Sequence, residues 1–252
     1  MQNERIITIL IVIIAVCTKL SAQEIVTDRP DQTESSTTIP GKSLQIELGF
    51  GIGNNNNERL FLLPTALLRY GLTKIIELRY VEQLAGIEDQ LTSENIFGLT
   101  DMEVGAKFQI VKRENCNTEI AFISHVTIPT GSAELTTSNF GTVNKIAVSH
   151  GLNKSLDLGY NLGYNYFGTG NGDLTYTLAI GIGLSEKLGM YVETFGAYAE
   201  LESWTSNLDT GITYLIRDNL QLDVSAGIGL NQKMNYMSVG CSWNIANFMK
   251  RN

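Results

Sequence analysis

Residues 174–184 read "LTYTLAIGIGL". Leu174, Tyr176, Leu178, Ile180, Ile182 and Leu184 alternate with Thr175, Thr177, Ala179, Gly181 and Gly183. Successive side chains of an extended strand leave opposite faces, so this stretch shows an unbroken apolar wall one way and small or polar groups the other. A soluble barrel turns such a wall inward and meets water with charged groups. The second face here is too small and too poor in charge for that. The apolar side is therefore expected to face lipid, and the small side to face a lumen.

The same alternation recurs along the chain. It is clear over 44–52 ("LQIELGFGI"), 156–166, 220–230 and 237–245, and less regular over 60–70, 75–81, 101–111, 119–128, 143–150, 188–198 and 204–216. With the opening stretch, that predicts twelve strands. Short turns at 71–74, 112–117, 151–154, 185–187 and 217–219 alternate with longer polar loops at 54–57, 85–95, 131–139 and 168–173, plus two briefer ones near 200–203 and 231–235. An even number of antiparallel strands with both chain ends on the short-turn side is the layout of an outer-membrane barrel. Strands of about ten residues cross a bilayer when tilted, and closure pairs every backbone group, which hydrocarbon requires. The expected fold is all-β: a closed antiparallel transmembrane β-barrel of about 12 strands over residues 43–252. A soluble sandwich or lipocalin-like barrel would leave Glu47, Asp157 and Asp223 outside and bury six-residue apolar faces, repeatedly.

Residues 1–23, "MQNERIITILIVIIAVCTKLSAQ", read as a secretory signal: Arg5, the apolar run Ile6–Val16, then small residues before a cut near Gln23. The run is roughly 16 Å long as a helix, about half the hydrocarbon thickness, so it does not read as an anchor. Cys17 raises a lipoprotein reading, but Val16 is large where that processing site wants a small residue. Without Glu4, Arg5 and Lys19 the chain keeps 16 basic and 25 acidic residues, a net charge of −9. That balance excludes nucleic acid as a partner, since phosphate contacts need clustered Lys and Arg. The remaining cysteines, Cys116 and Cys241, fall in a turn and a strand, so no disulfide scaffold is expected. The expected location is the outer membrane of a Gram-negative-type bacterium.

With the register fixed, the strand charges sort onto one face. Glu47, Arg69, Glu77 and Arg79 are predicted to point inward, as are Asp101, Glu103, Lys107, Glu119, His125 and Lys145, and then Asp157, Glu193, Asp209 and Asp223. These are the candidate pore-lining residues; they would either cross-pair to stiffen the barrel or line a path for cations and hydrogen-bonding solutes. An outward Lys or Arg at mid-membrane costs about 2–4 kcal/mol, so the segregation supports the register. Tyr160, Tyr164, Tyr166, Trp204, Tyr214 and Trp243 fall outward, where interfacial belts form; Phe195 points inward. An outer-membrane phospholipase would need a His-x-Ser pair on the lipid face. His125-x-Thr127 is the nearest match, with Asn139 further on, and its parity turns it inward; His150 lacks the spacing. There is no Gly-x-Ser-x-Gly elbow, Walker loop or Cys/His cluster, so no enzyme activity, cofactor or metal is expected. The glycine-rich "GFGIG" and "AIGIG" belong to strands, where glycine relieves crowding on the lumen side.

After the predicted cut come "TDRPDQTESS" (27–36) and "TIPGKSLQIELGFG" (38–51), then "YGLT" before "ELR" (70–79) and "TIPTG" (127–131). Together these resemble a family of outer-membrane transporters named for the meta pathway of phenol degradation. The resemblance spans nearly the whole mature chain, and the decapeptide is its most specific part. It implies a barrel and passage of small, loosely aromatic, solutes; the pathway name does not fix phenol as the substrate. Charge and Pro30 exclude residues 27–36 from any membrane strand, so 24–42 is expected as a periplasmic N-terminal segment. Either it is a disordered leader, or Asp28, Arg29, Asp31 and Glu34 fold into the barrel mouth as a plug and pair with lumen charges such as Arg79 or Glu77. The tail "NFMKRN" lacks a terminal aromatic; Phe248 is the nearest substitute for the signal read by the barrel assembly machinery. The partners expected are therefore outer-membrane lipid, that machinery and a small solute. The function expected is a passive transporter or channel, with a closed structural or adhesion barrel as the alternative and an outer-membrane phospholipase-like enzyme as the third reading.

Overall fold

The computed structural model describes residues 25–112, 117–246 and 248. The signal sequence with Cys17, and the turn cysteine Cys116, lie outside them. The strands are β1 (Leu44–Asn55), β2 (Glu58–Gly71), β3 (Ile76–Asp89), β4 (Asn95–Leu99), β5 (Met102–Val111), β6 (Thr118–Ile128), β7 (Gly141–Asn153), β8 (Leu156–Tyr166), β9 (Asp173–Gly183), β10 (Leu188–Ala199), β11 (Ser203–Arg217), β12 (Leu220–Gly229) and β13 (Met234–Ile245). Apart from β4 and β5, which both pair with β3, each pairs antiparallel with its sequence neighbours, and β1 pairs with β13 along its whole length, from Leu44↔Ile245 to Asn55↔Met234. The ring is closed. β4 and β5 both lie along β3 and form one stave interrupted at Thr100–Asp101, so the barrel has twelve staves.

The lipid-facing side chains are those the alternation assigned. In β9, Leu174, Leu178 and Ile180 are exposed while Ala179 is buried. In β12, Leu222, Val224 and Ile228 are exposed while Gln221, Asp223 and Ser225 are buried. A surface this apolar, wrapped round a polar interior, suits hydrocarbon rather than water. Two features depart from the sequence reading. First, β3 runs to Asp89 and β4 fills 95–99, so the region read as a long loop over 85–95 is mostly strand; likewise β1 runs to Asn55 and the connection shrinks to 56–57, with Asn56 at φ 53°. Asparagine tolerates that left-handed turn geometry, which allows a tight hairpin.

Second, β2 carries a bulge. Leu62 pairs with Gly51 and Ala85, but the next pairs are Thr65 with Gly49 and Gln83, leaving Leu63 and Pro64 opposite one residue on each side. A proline has no N–H for the ladder and is tolerated at such a point. The extra residue reverses the parity of the far half of β2, so Leu60 and Leu62 turn into the lumen instead of toward lipid. At the same level, Glu82 is an outward-facing carboxylate, accepting a hydrogen bond from Tyr80 Oη at 2.8 Å.

Substitutions separate the two faces. Leu178→Arg, in the middle of β9 on the lipid side, is expected to destabilise the barrel by about 2–4 kcal/mol in lipid vesicles. Gly181→Ser, on the lumen side where an added Cβ meets nothing closer than 3.9 Å, is expected to be nearly neutral. Urea unfolding with the boiled and unboiled mobility shift on gels reads both; equal costs would reverse the inside and outside assigned here.

Candidate functional site

The lumen is occupied near the end where β1 begins and β13 ends. Residues 25–40, polar and interrupted by Pro30, make no strand; they coil inside the ring. Ile25 N–H donates to the Asp218 carbonyl at 3.1 Å in the turn between β11 and β12. From Gln32 onward the segment steps from stave to stave. Gln32 N–H donates to Glu193 on β10 at 2.7 Å, Thr33 Oγ1 to Thr177 on β9 at 2.6 Å, and Glu34 N–H to Asn161 on β8 at 2.7 Å. Ser36 Oγ donates to Ser149 on β7 at 2.9 Å, Thr37 Oγ1 to Glu119 on β6, Thr38 N–H to Gln109 on β5 at 3.2 Å, and Ile39 N–H to Glu77 on β3 at 2.9 Å. Eight residues thus follow the wall around half of the barrel; four of their backbone N–H groups donate to lumen side chains instead of a ladder, and those of Ser35 and Thr37 donate to Asp28 and Ser35 within the segment.

The charges form one network. Arg69 grips Glu77 through two nitrogens, at 2.8 and 2.9 Å, and Glu47 through the third at 2.8 Å. Arg79 NH1 donates to Asp28 at 2.6 Å and NH2 to Glu34 at 2.6 Å. Lys107 Nζ reaches both Asp28 carboxylate oxygens, at 3.0 and 2.9 Å, and the Ser35 carbonyl at 2.7 Å. Lys145 Nζ reaches Glu34 at 2.6 Å. On the other side Arg29 donates to Asp223 at 3.1 Å and Ser238 at 3.2 Å. Arg69, Lys107, Glu47 and Glu77 are fully buried, a placement that charged groups reach only when paired and hydrogen-bonded.

Glycine makes room for Arg29. Its guanidinium lies against the cross-strand pair Gly49 and Gly240 of β1 and β13; a Cβ at Gly49 would stand 2.1 Å from NH1, and one at Gly240 2.4 Å from Nε. Above Arg29, Pro30 and Gln32, toward the far end, is a cavity of about 270 Å³. Leu60 and Leu62, turned inward by the β2 bulge, line it together with Phe195, Met234 and Tyr236. Phe195, inward by parity and without a reason in the sequence, is part of this wall.

Most of the side chains singled out in the sequence lie on this inner surface. Glu47, Arg69, Glu77, Arg79, Lys107, Glu119, Lys145, Glu193 and Asp223 touch the N-terminal segment. Asp209 accepts hydrogen bonds from Tyr191, at 3.3 Å, and from Tyr236. His125 lies inside, bonded to Glu103 at 2.8 Å and accepting from Arg79 Nε at 3.0 Å; neither ring nitrogen faces lipid. Asp157 occupies an inward register position opposite Gly181 and is exposed. Asp101 departs from its expected role. It sits in the gap between β4 and β5 and accepts from Gly131 N–H at 2.9 Å and Thr137 N–H at 2.8 Å, so it anchors the β6–β7 loop instead of lining open lumen. The uncharged partners Gln45, Gln109, Asn161 and Ser149 were not picked out; parity alone marks them, because they share the face of the charges. Among the described residues no group of His, Cys, Asp and Glu is placed to hold a metal ion.

The network sets the protonation of the segment. Burial alone would push the Asp28 carboxyl up, but Arg69, Lys107 and Arg79 outweigh it and hold Asp28 well below the usual carboxylate range. Burial likewise opposes ionisation of Glu34, and Lys145 and Arg79 outweigh it. Asp31 goes the other way: burial, with Asp209, Asp28 and Glu47 nearby, pushes it from 3.8 up to about 8.

Residues 27–240 match the family described as "Putative MetA-pathway of phenol degradation", and the chain belongs to that family. No curated protein matches by sequence. Among solved structures, an outer-membrane channel from Pseudomonas putida F1 superposes with a TM-score of 0.68 at 13% identity, over 87% of this chain and 100% of that one. The KdgM porin in complex with oligogalacturonate gives 0.59 at 12% identity, over 79% and 98%. The NanC porin gives 0.53 at 7% identity, over 79% and 98%. At these identities the likeness is one of fold: the chain is an outer-membrane β-barrel.

Two outcomes test the seating of the segment. Gly49→Ala is expected to displace Arg29 and cost about 1–3 kcal/mol; in an Arg29→Ala background the same change should cost much less, a non-additivity that a double-mutant cycle on barrel stability reads directly. The second concerns Asp31. Seated, it keeps its proton up to about pH 8, whereas a released carboxyl loses it near 3.8. Between these values the seated form binds the extra proton, so its stability falls as pH rises through the window and is level above it. Asp31→Asn should remove that fall. The temperature at which the folded gel band converts should differ increasingly between the two chains from about pH 4 to about pH 8. Asp28 and Glu34 have the opposite sign and make seating fail as pH drops below about 4.

Proposed function

We propose that this member of the phenol-degradation family is a passive outer-membrane channel for small solutes, whose lumen is held shut toward the periplasm by its own N-terminal segment. The observation that carries the reading is the way the segment is held. Its ties to the wall are mainly hydrogen bonds and ion pairs to lumen side chains, which water replaces when the segment leaves, and beyond it lies an unfilled cavity of about 270 Å³. A barrel built only as a scaffold would fill its interior with interlocking apolar side chains. The cavity's apolar lining of Leu60, Leu62 and Phe195, set above the Arg29 guanidinium, suits small solutes with an apolar body, rings included. The overall likeness to a channel and to porins supports the same class of activity. No catalytic role is assigned: the one His-x-Thr pair is turned into the lumen and bonded to Arg79 and Glu103.

Deleting residues 27–36 is the test. In planar bilayers the shortened chain should conduct several-fold more than the native one and pass small sugars and aromatic acids in liposome swelling. Unchanged, near-zero conductance in both chains would favour the closed structural barrel.

A further inference from the structure

The cations of the lumen are distributed unevenly between two kinds of partner. Arg69 is neutralised chiefly by the wall itself, through Glu77 and Glu47 at 2.8 Å each, with Asp28 of the segment further off at 3.5 Å. Lys107 and Lys145 are not. Among the described residues, every ion pair and hydrogen bond of these two ammonium groups goes to the N-terminal segment: Lys107 to Asp28 and the Ser35 carbonyl, Lys145 to Glu34. Arg79 stands between them and clasps both carboxylates, one on each terminal nitrogen. β3, β5 and β7 supply these three cations, on the same inner wall. Lys107 is fully buried and Arg79 nearly so. When the segment leaves, Lys107 and Lys145 lose every ion-pair partner and Arg79 keeps only Glu77, at 2.9 Å from one terminal nitrogen and already held by Arg69, while the wall keeps the three cations in place.

A cradle of this kind has a definite complement. A guanidinium offers parallel N–H donors to a carboxylate, and the two ammonium groups flank it as point charges. Asp28 and Glu34 belong to one short segment, so the cradle accommodates two carboxylates joined by a flexible tether. Across the lumen stand Glu193 and Asp223, which the segment meets with Gln32 N–H and Thr33 Oγ1 on the first and Arg29 on the second, and Asp209, which is bonded to Tyr191 and Tyr236. That wall would repel an anion, which confines it to the Arg79 side.

We propose that Arg79, Lys107 and Lys145 form a carboxylate-binding site of the lumen, which Asp28 and Glu34 fill as a built-in ligand and which takes small dicarboxylates once the segment is displaced. As a statement about solutes, this rests on the channel reading above; as a statement about binding, it stands by itself.

The test is chemical rescue in the full-length chain. Asp28→Ala with Glu34→Ala empties the cradle and leaves the rest of the segment. Millimolar succinate should raise the temperature at which this variant's folded gel band converts by several degrees, because a ligand that binds only the folded state stabilises it. Succinamide, the uncharged diamide, should not, and the native chain should respond little to either. Adding Lys107→Gln should abolish the shift. If the double variant does not fold, Glu34→Ala alone, which frees Lys145 and one arm of Arg79, is tested with acetate against acetamide. No shift, an equal shift with the amide, or a shift that survives Lys107→Gln would overturn the site. Bilayer recordings separate the two readings. Rescue without current in either the native or the shortened chain would keep the site and remove the solute role; current without rescue would do the reverse.

Discussion

Hydrocarbon offers a peptide group no hydrogen-bond partner, and the rest of this structure follows from that constraint. A strand can cross only if both of its edges are paired, so the staves must close into a ring, and β1 against β13 supplies the closure over its entire length. Once the ring is closed, alternation does the sorting. Every second side chain must tolerate lipid, and the remainder face a narrow interior where charge is admissible if it is paired. Glu47, Arg69 and Glu77 are fully buried yet fully bonded, an arrangement that would be costly in an isolated strand and is stable here because Arg69, directly opposite Gln45 and Arg79, reaches the carboxylates that the adjacent staves present on diagonal positions.

The interior is then too wide for wall side chains alone to fill with so much glycine on that face. In β1, Gly49 and Gly51 give up the volume that a larger residue would take, and Arg29 lies on one of them. The N-terminal segment is the missing core of the inner half, polar because its wall is polar. In the outer half, the single extra residue at Leu63–Pro64 reverses β2 and brings Leu60 and Leu62 inside. One local irregularity thus gives the lumen two chemistries in series: a charged zone occupied by the segment, and an apolar cavity beyond it.

The period-two signal made the barrel, its strand number and the facing of nearly every charge legible in the sequence, because each of those is a local property of an extended chain. What was not legible is of two kinds. The strand ends were misread where the ladder continues into stretches that mix apolar, glycine and polar residues around a polar turn, as in Ala85–Asp89 and Asn95–Leu99, since polarity marks exposure and not the end of pairing. The bulge at Pro64 and the gap holding Asp101 were missed because a shift in register is a relation between strands. The segment was readable as a non-strand, charged piece with a candidate partner in Arg79. Its stepwise path from β10 to β3 was not, because those contacts join residues as far as 161 positions apart and no periodicity encodes them.

How the segment is held bears on whether it can leave. An apolar plug in an apolar pore would be held by contacts that water cannot replace, and its removal would expose surface at a cost proportional to area. This segment is held by charge-assisted hydrogen bonds to a polar wall. Each is strong while dry, but each has a replacement in water or in a small ion when the chain moves. The ties are also concentrated: Arg79 and Lys107, with Arg69 further off at 3.5 Å, hold Asp28, and Arg79 shares Glu34 with Lys145. Disturbing that cluster releases two carboxylates together, so the segment's attachment there is cooperative. On the channel reading proposed above, firm retention and reversible release would come from the same few residues, and the apolar cavity beyond them would be where a solute first meets the segment from the outer side.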